Sequence, residues 1–452
     1  MLKAVPIDRP LTLAELRERE FSRLDAQRTV YLDYTGSALY GESQLRAHHS
    51  LLRDGLFGNP HSEHGPSRAS MEIVEDARQR LLHFLDVDDR THAVCFTANT
   101  TAAIRLVAES YPFGPDTPCI LSADNHNSVN GIREYARRAG APIRTLPLDE
   151  ELRLRDSSAI LADEESHGRG LFAFPAQSNF SGVRHPLSLV TYAKGLGYDV
   201  LLDAAAFVPS HTLSLRDCPA DFTALSFYKL FGYPTGLGAL VARREALARL
   251  RRPWFAGGTV TYASVQADTH RLRPGHEGFE DGTQNFLGIA ALAPGFALLD
   301  EVSMPLLSAH VMQLTAFFLR ALGALYHANG TPLAHLYGPK DMHDRGGAVA
   351  FNICTSEGKP IPYSVVEAAA TRAGIALRGG CFCNPGASEA ALGLDPTRTR
   401  ECLDTLGENF TVERFASCVG TAVGALRVSF GLANREEDVH RAIAFLSEFR
   451  EV

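Results

Sequence analysis

Between about residue 30 and residue 245 the chain alternates short apolar runs with amphipathic stretches, and this restricts its fold more than any other feature. The apolar runs include 93–97, 119–121, 170–174 and 199–203. Helical patterns lie between them, as at 67–85 and 101–111. Such alternation predicts βαβ units and an α/β fold with a mostly parallel central sheet flanked by helices. The runs are apolar throughout rather than alternating, which fits strands covered on both faces. A Gly/Pro-rich stretch, 252–282, reads as a long loop, and 286–325 reads as helical. The remainder changes character, with separate strands at 347–353, 375–378 and 425–430. The expected division is a polar helical arm over 1–30, a large domain over 31–295, and a smaller C-terminal α+β domain over 296–452.

Composition narrows the class. The 452 residues are 45% hydrophobic and 21% charged, which excludes wholesale disorder and fibrous repeats. Net charge is -8, from 44 basic and 52 acidic residues, and no basic run suggests a nucleic-acid groove. No unbroken apolar run approaches ~18 residues, so no membrane span is expected. The first twenty residues lack the apolar core of a secretory signal. The expectation is a cytoplasmic protein whose eight cysteines are thiols rather than a disulfide framework. Lysine occurs only at Lys3, Lys194, Lys229, Lys340 and Lys359, so amine chemistry has five candidates.

Lys229 stands out among them, within Leu225-Ser226-Phe227-Tyr228-Lys229-Leu230-Phe231. Apolar surroundings disfavour the ammonium form, as a Schiff-base lysine requires. A strand-end lysine can equally reach solvent along its own stem. Asp203 ends the apolar run 200–202, where a carboxylate is costly to bury unless paired. Strand C-termini in open α/β sheets face the ligand crevice. Pyridoxal phosphate needs such a carboxylate to keep its ring nitrogen protonated; capping a helix is the bland alternative. Asn99-Thr100-Thr101 runs from a strand into a helix, a place that offers donors to a phosphate or simply caps the helix. His126 follows another strand end and could lie on a cofactor ring or at the surface.

These residues carry a family resemblance. The supporting strings are Tyr31-Leu32-Asp33, Gly58-Asn59-Pro60-His61-Ser62, the stretch 175–184 (PAQSNFSGVR), Ser226-Phe227-Tyr228-Lys229, Pro234-Thr235-Gly236-Leu237-Gly238, Phe279-Glu280-Asp281-Gly282-Thr283, Arg378-Gly379-Gly380-Cys381-Phe382-Cys383-Asn384 and Arg427-Val428-Ser429-Phe430-Gly431. In that order they resemble the class V aminotransferase group of fold-type I pyridoxal-phosphate enzymes, which includes the cysteine desulfurases. Within the group the chain is most similar to the aminotransferase-like domain of molybdenum cofactor sulfurases. Eukaryotic sulfurases continue into a second domain, whereas this chain stops at Val452, soon after the aminotransferase-like part.

The resemblance implies that Lys229 carries the cofactor and Asp203 pairs with its ring nitrogen. Thr101, the backbone of Asn99 and Thr100, Ser226 and Tyr228 would hold the phosphate. His126 would stack on the ring and Asn179 would sit beside it. Thr283 would reach the phosphate bound by a second copy, which implies a homodimer. Arg427, with Arg378 near it, would grip the substrate carboxylate; a planar fork suits that task. Ala206 stands where many desulfurases have a glutamine, and Tyr228 where many have a histidine.

Cys381 and Cys383 lie in a Gly/Pro-rich stretch expected to be a mobile loop. Cys-x-Cys can ligate a metal, but no second cysteine pair has suitable spacing, so no metal is assigned. A nearby arginine would favour the thiolate of Cys383. The implied activity is that of an L-cysteine desulfurase, which forms alanine and a persulfide on Cys383 for an unidentified acceptor. A C–S lyase, or another amino-acid transformation on the same cofactor, is the alternative.

Overall fold

The computed structural model describes residues 12–163 and 169–451. Its centre is a seven-stranded sheet. In spatial order the strands are His92–Thr97, Gly238–Arg243, Phe222–Ser226, Asp199–Asp203, Leu171–Pro175, Cys119–Ser122 and Ile143–Leu146. All run parallel except Gly238–Arg243, which is antiparallel to both neighbours. Leu171–Pro175, Asp199–Asp203 and Phe222–Ser226 are buried at every position, as expected for strands covered on both faces. Helices such as Gly65–Phe84 and Thr100–Ser110 provide that cover.

The second sheet is antiparallel, in the order Ala334–Tyr337, Ala348–Ile353, Ala425–Ser429 and Arg378–Gly380. Its last pair sets Arg378 directly opposite Arg427. The N-terminal strand Val30–Tyr31 pairs with Ile375–Ala376, and Asp33 forms an isolated bridge to Ser429. The start of the chain is thus stitched beside the C-terminal sheet. Residues 1–11 of the expected arm lie outside the described residues. The part that is described is less polar than expected: the helix Leu13–Phe21 buries Leu16 and Phe21 and seats Arg17 on Asp438 at 2.7 Å.

Three expectations need correction. The stretch 252–282 contains an antiparallel hairpin, Val260–Ser264 with Thr269–Leu272. Most of its positions are exposed, so no buried face imposes the alternation by which a strand is recognised. The helical stretch from residue 286 is three helices, broken before Leu292 and at Ser303, whose φ is 67°. One of them, Met304–Gly323, is long and apolar enough by length and composition to cross a membrane. It buries Leu307, Val311, Leu314, Phe318 and Leu322 in the protein core. Finally, not all cysteines are thiols. The neighbouring helices Pro396–Leu406 and Val412–Val419 bring Cys402 and Cys418 to a Cα separation of 5.8 Å, and the two form a disulfide. That distance depends on how two helices pack, and the cysteine count carries no trace of it.

Candidate active site

Adjacent strand ends meet at a cavity of about 80 Å³. Asp203 closes its strand in register with Pro175 on one side and Ala224 on the other. It is 8% exposed, and its Oδ1 accepts the Ala205 N–H at 3.0 Å, a local turn rather than a helix cap. From Ser226 the chain turns directly into the short helix Phe227–Phe231, which carries Lys229. Gly232 stops that helix at φ 79°, where a Cβ would lie 2.3 Å from the backbone of Leu39. Only glycine fits there. Lys229 lines this cavity and an adjoining apolar one bounded by Leu39, Phe231, Leu299 and Leu307. Burial lowers its pKa, against the pull of Asp203 and with the help of Arg427. Lys229 as a residue is half-buried and lines both of these cavities.

Of the residues expected to hold a phosphate, Asn99, Thr100, Thr101 and Tyr228 line this cavity. Asn99 caps the helix Thr100–Ser110, its Oδ1 accepting the Ala102 N–H at 2.9 Å. Capping is thus already satisfied, and the threonine hydroxyls are not needed for it. The Oγ1 of Thr100 is buried with no hydrogen-bond partner. An unspent buried hydroxyl needs explaining, and an anion at a helix N-terminus would take it up. Gly238 lets this turn approach, since a Cβ there would lie 2.5 Å from the carbonyl carbon of Asn99. Thr101 Oγ1 is 2.7 Å from Ser128 Oγ, and Ser128 also contacts His126. Ser128 was not singled out by sequence reasoning, although it lies two positions from a candidate.

His126 lines the cavity with its Nδ1 accepting the Ser128 N–H at 3.1 Å. A neutral ring with that bond carries its proton on Nε2. Burial lowers the His126 pKa, against Asp203 and with Lys229 and Arg427. Tyr228 and Asn179 line the same cavity, and burial raises the Tyr228 pKa. Thr283 does not join them. It is exposed, receives a long 3.5 Å bond from Asn59, and lines a different cavity with Thr97, Ala98 and Gly236.

The cysteine loop is docked rather than free. The Cys383 carbonyl accepts the Asn127 N–H at 2.7 Å, next to His126. The Phe382 carbonyl accepts from Asn179 Nδ2 at 2.7 Å, and Asn384 Nδ2 reaches the Asp124 carbonyl at 2.6 Å. Phe382 and Cys383 are both left-handed, at φ 56° and 55°. Two consecutive non-glycine residues in that region are uncommon and are held here by the surrounding bonds. The result buries Phe382 and leaves Cys381 and Cys383 exposed.

Arg427 is buried and is already engaged. Its Nη2 donates to Asp33 Oδ1 at 3.0 Å and its Nη1 to the Asn179 carbonyl at 2.7 Å. Its guanidinium carbon sits 4.6 Å from the centre of the Phe382 ring. Burial lowers its pKa to about 10 despite Asp33. Arg378, half-exposed, donates three bonds to the same Asp33 carboxylate at 2.5 to 3.0 Å. Asp33 is a second residue, after Ser128, to which sequence reasoning gave no role. Its signal was present, since it ends the apolar run 30–32 as Asp203 ends 200–202.

A mostly parallel sheet with a cavity-lining lysine, a strand-end carboxylate and an anion cradle at a helix N-terminus fits the pyridoxal-phosphate fold-type I architecture. The chain belongs to the class V aminotransferase family, whose model matches residues 30–442. It is 36% identical to the molybdenum cofactor sulfurase of Arabidopsis thaliana, across 97% of this chain and 58% of the relative. It is 35% identical to that of Homo sapiens, across 98% and 52%. The chain thus spans little more than half the length of these curated relatives. A cysteine desulfurase of Thermococcus onnurineus shares the fold with a TM-score of 0.78 at 22% identity, covering 96% of this chain and 97% of its own. A cystine C–S lyase solved with cysteine persulfide shares it with a TM-score of 0.71 at 19%, covering 95% and 100%. The residues present fit the family's cofactor: Lys229 to carry it, Asp203 for its ring nitrogen, and Thr100 and Thr101 for its phosphate.

Proposed function

We propose that the protein is a pyridoxal-phosphate-dependent L-cysteine desulfurase, which passes sulfur as a Cys383 persulfide to an acceptor. The observation that carries this reading is the placement of Cys383. Its side chain is exposed while its backbone is pinned to the His126 turn, at the rim of the cavity that holds Lys229. Relatives named for sulfur transfer to a cofactor support the same class of reaction.

The bound cofactor would supply an electron sink for charge developing on the substrate carbon beside the amino group. The protein does the rest. Arg427 holds the substrate carboxylate, and Asn179 keeps that guanidinium and the cysteine loop in one arrangement. Lys229, its ammonium form disfavoured by burial, takes and returns a proton at the substrate carbon. The Cys383 thiolate attacks the substrate sulfur. A sulfur–sulfur bond forms as the carbon–sulfur bond breaks, and the electron pair left on Cβ takes a proton. Cysteine and the enzyme thiol thereby become alanine and the persulfide, with no outside oxidant. His126, with its proton on Nε2 and its ring in the cavity, is the second group able to move a proton there.

The protein is further proposed to work as a homodimer. Thr283 supports this, since it is exposed and lines a cavity apart from the one that holds Lys229, in reach of a second copy.

Mass spectrometry of cysteine-treated protein tests the reading. One added sulfur is expected on the peptide containing Cys383, with alanine released. Pyruvate in place of alanine, with Cys383 unmodified, would transfer the reading to a C–S lyase.

A further inference from the structure

Arg378 and Arg427 are cross-strand partners on one face of the small sheet, in direct register. Like charges so placed repel. Asp33 compensates both, and its carboxylate accepts four hydrogen bonds from three nitrogens of the two side chains. The arrangement also closes the carboxylate site. Arg427 has a side-chain exposure of 3%, lies against the Phe382 ring, and does not line the cavity shared by Lys229 and Asp203. Its Nε is buried without a partner. A substrate carboxylate cannot reach the guanidinium while Asp33 and Phe382 occupy it.

We infer that Asp33 is an internal stand-in for the substrate carboxylate: it occupies Arg427 in the empty site and is displaced when an amino acid binds, remaining paired with Arg378. This rests on the reading that Arg427 receives the substrate carboxylate. The asymmetry of the bonds supports the exchange. Arg378 alone makes three of the four, so Asp33 can release Arg427 without becoming an unpaired charge. Arg378, being half-exposed, keeps its fork on Asp33 in both states. It is therefore the counter-ion of the stand-in rather than a second substrate ligand. Asp33 acts as a positioning residue that sets amino-acid affinity, because binding is weakened by the fraction of time it holds the site.

The test is calorimetric titration of holoenzyme with L-alanine and with ethylamine, which lacks the carboxylate. Asp33→Asn should bind L-alanine about tenfold more tightly than wild type and bind ethylamine unchanged. A purely structural role would weaken both ligands together. Arg427→Ala serves as the reference. If it leaves L-alanine affinity unchanged, the carboxylate reading of Arg427 itself fails. If it abolishes the carboxylate preference while Asp33→Asn gives no tightening, only the stand-in is wrong. Should Asp33→Asn not fold, a crystal structure of wild-type holoenzyme with L-alanine decides. The ligand carboxylate is expected on Arg427 with Asp33 held by Arg378 alone. An intact Arg427–Asp33 bond in that complex overturns the inference.

Discussion

The two ends of the cavity are built by different means. At the cofactor end, Asp203 and the Lys229 helix lie at the ends of fully buried strands. Their positions follow from the sheet itself. At the thiol end, Cys383 lies in a loop held by hydrogen bonds to other loops, and Arg427, whose backbone belongs to the buried strand Ala425–Ser429, has its side chain held by a carboxylate shared with Arg378. A sheet edge fixes geometry at the cost of mobility, whereas a docked loop can exchange partners. A reaction that holds a cofactor rigidly while a thiol must reach in and then depart needs one of each.

The largest expected effect comes from breaking the rigid end. Lys229→Ala should abolish both the yellow colour of purified protein and all turnover, as read by absorbance and an alanine assay. If the absorbance band is unchanged, Lys229 is not the attachment point. Cys383→Ser should separate the two ends: alanine formation falls nearly to background while the colour stays. If it turns over at the wild-type rate, the thiol end has been misassigned.

Arg427→Ala should weaken amino-acid binding by about 2–5 kcal/mol, most of it from the broken buried charge network. Titration of the holoenzyme with L-alanine measures this, and cofactor content should not change. Asn384→Ala removes the bonds to Asp124 and Asn179 that dock the loop. Its effect should be smaller, about 1–3 kcal/mol for a buried partner left unsatisfied. It should appear as slower alanine release with an unchanged absorbance spectrum. A change in the spectrum would mean that the two ends are one rigid unit. The smallest effect is expected from Cys381→Ser. That thiol is exposed and makes no side-chain hydrogen bond among the described residues, so turnover should stay within a few-fold of wild type.

Much of the cofactor end was legible in the sequence because its signals are local. A carboxylate at the end of an apolar run, a lysine in an apolar turn and hydroxyls at a strand–helix junction can each be read within a short window. The hairpin near residue 265 was not legible, because exposed strands need no alternating pattern. The loop's docking was not legible either: glycines and a proline around Cys383 suggest mobility, while the asparagines that pin it lie far off, Asn179 more than 200 residues away.

By itself the sequence determined the α/β class, the strand ends that carry Asp203 and Lys229, and the presence of two cysteines in one turn. The periods of strand and helix, and the cost of burying charge, act over a few residues and so are written there. Only the tertiary structure decided which carboxylate meets which arginine. Asp33 is 345 residues from Arg378 and 394 from Arg427. It meets them because the N-terminal strand pairs beside the C-terminal sheet, and the repulsion between two opposed arginines then requires a carboxylate between them.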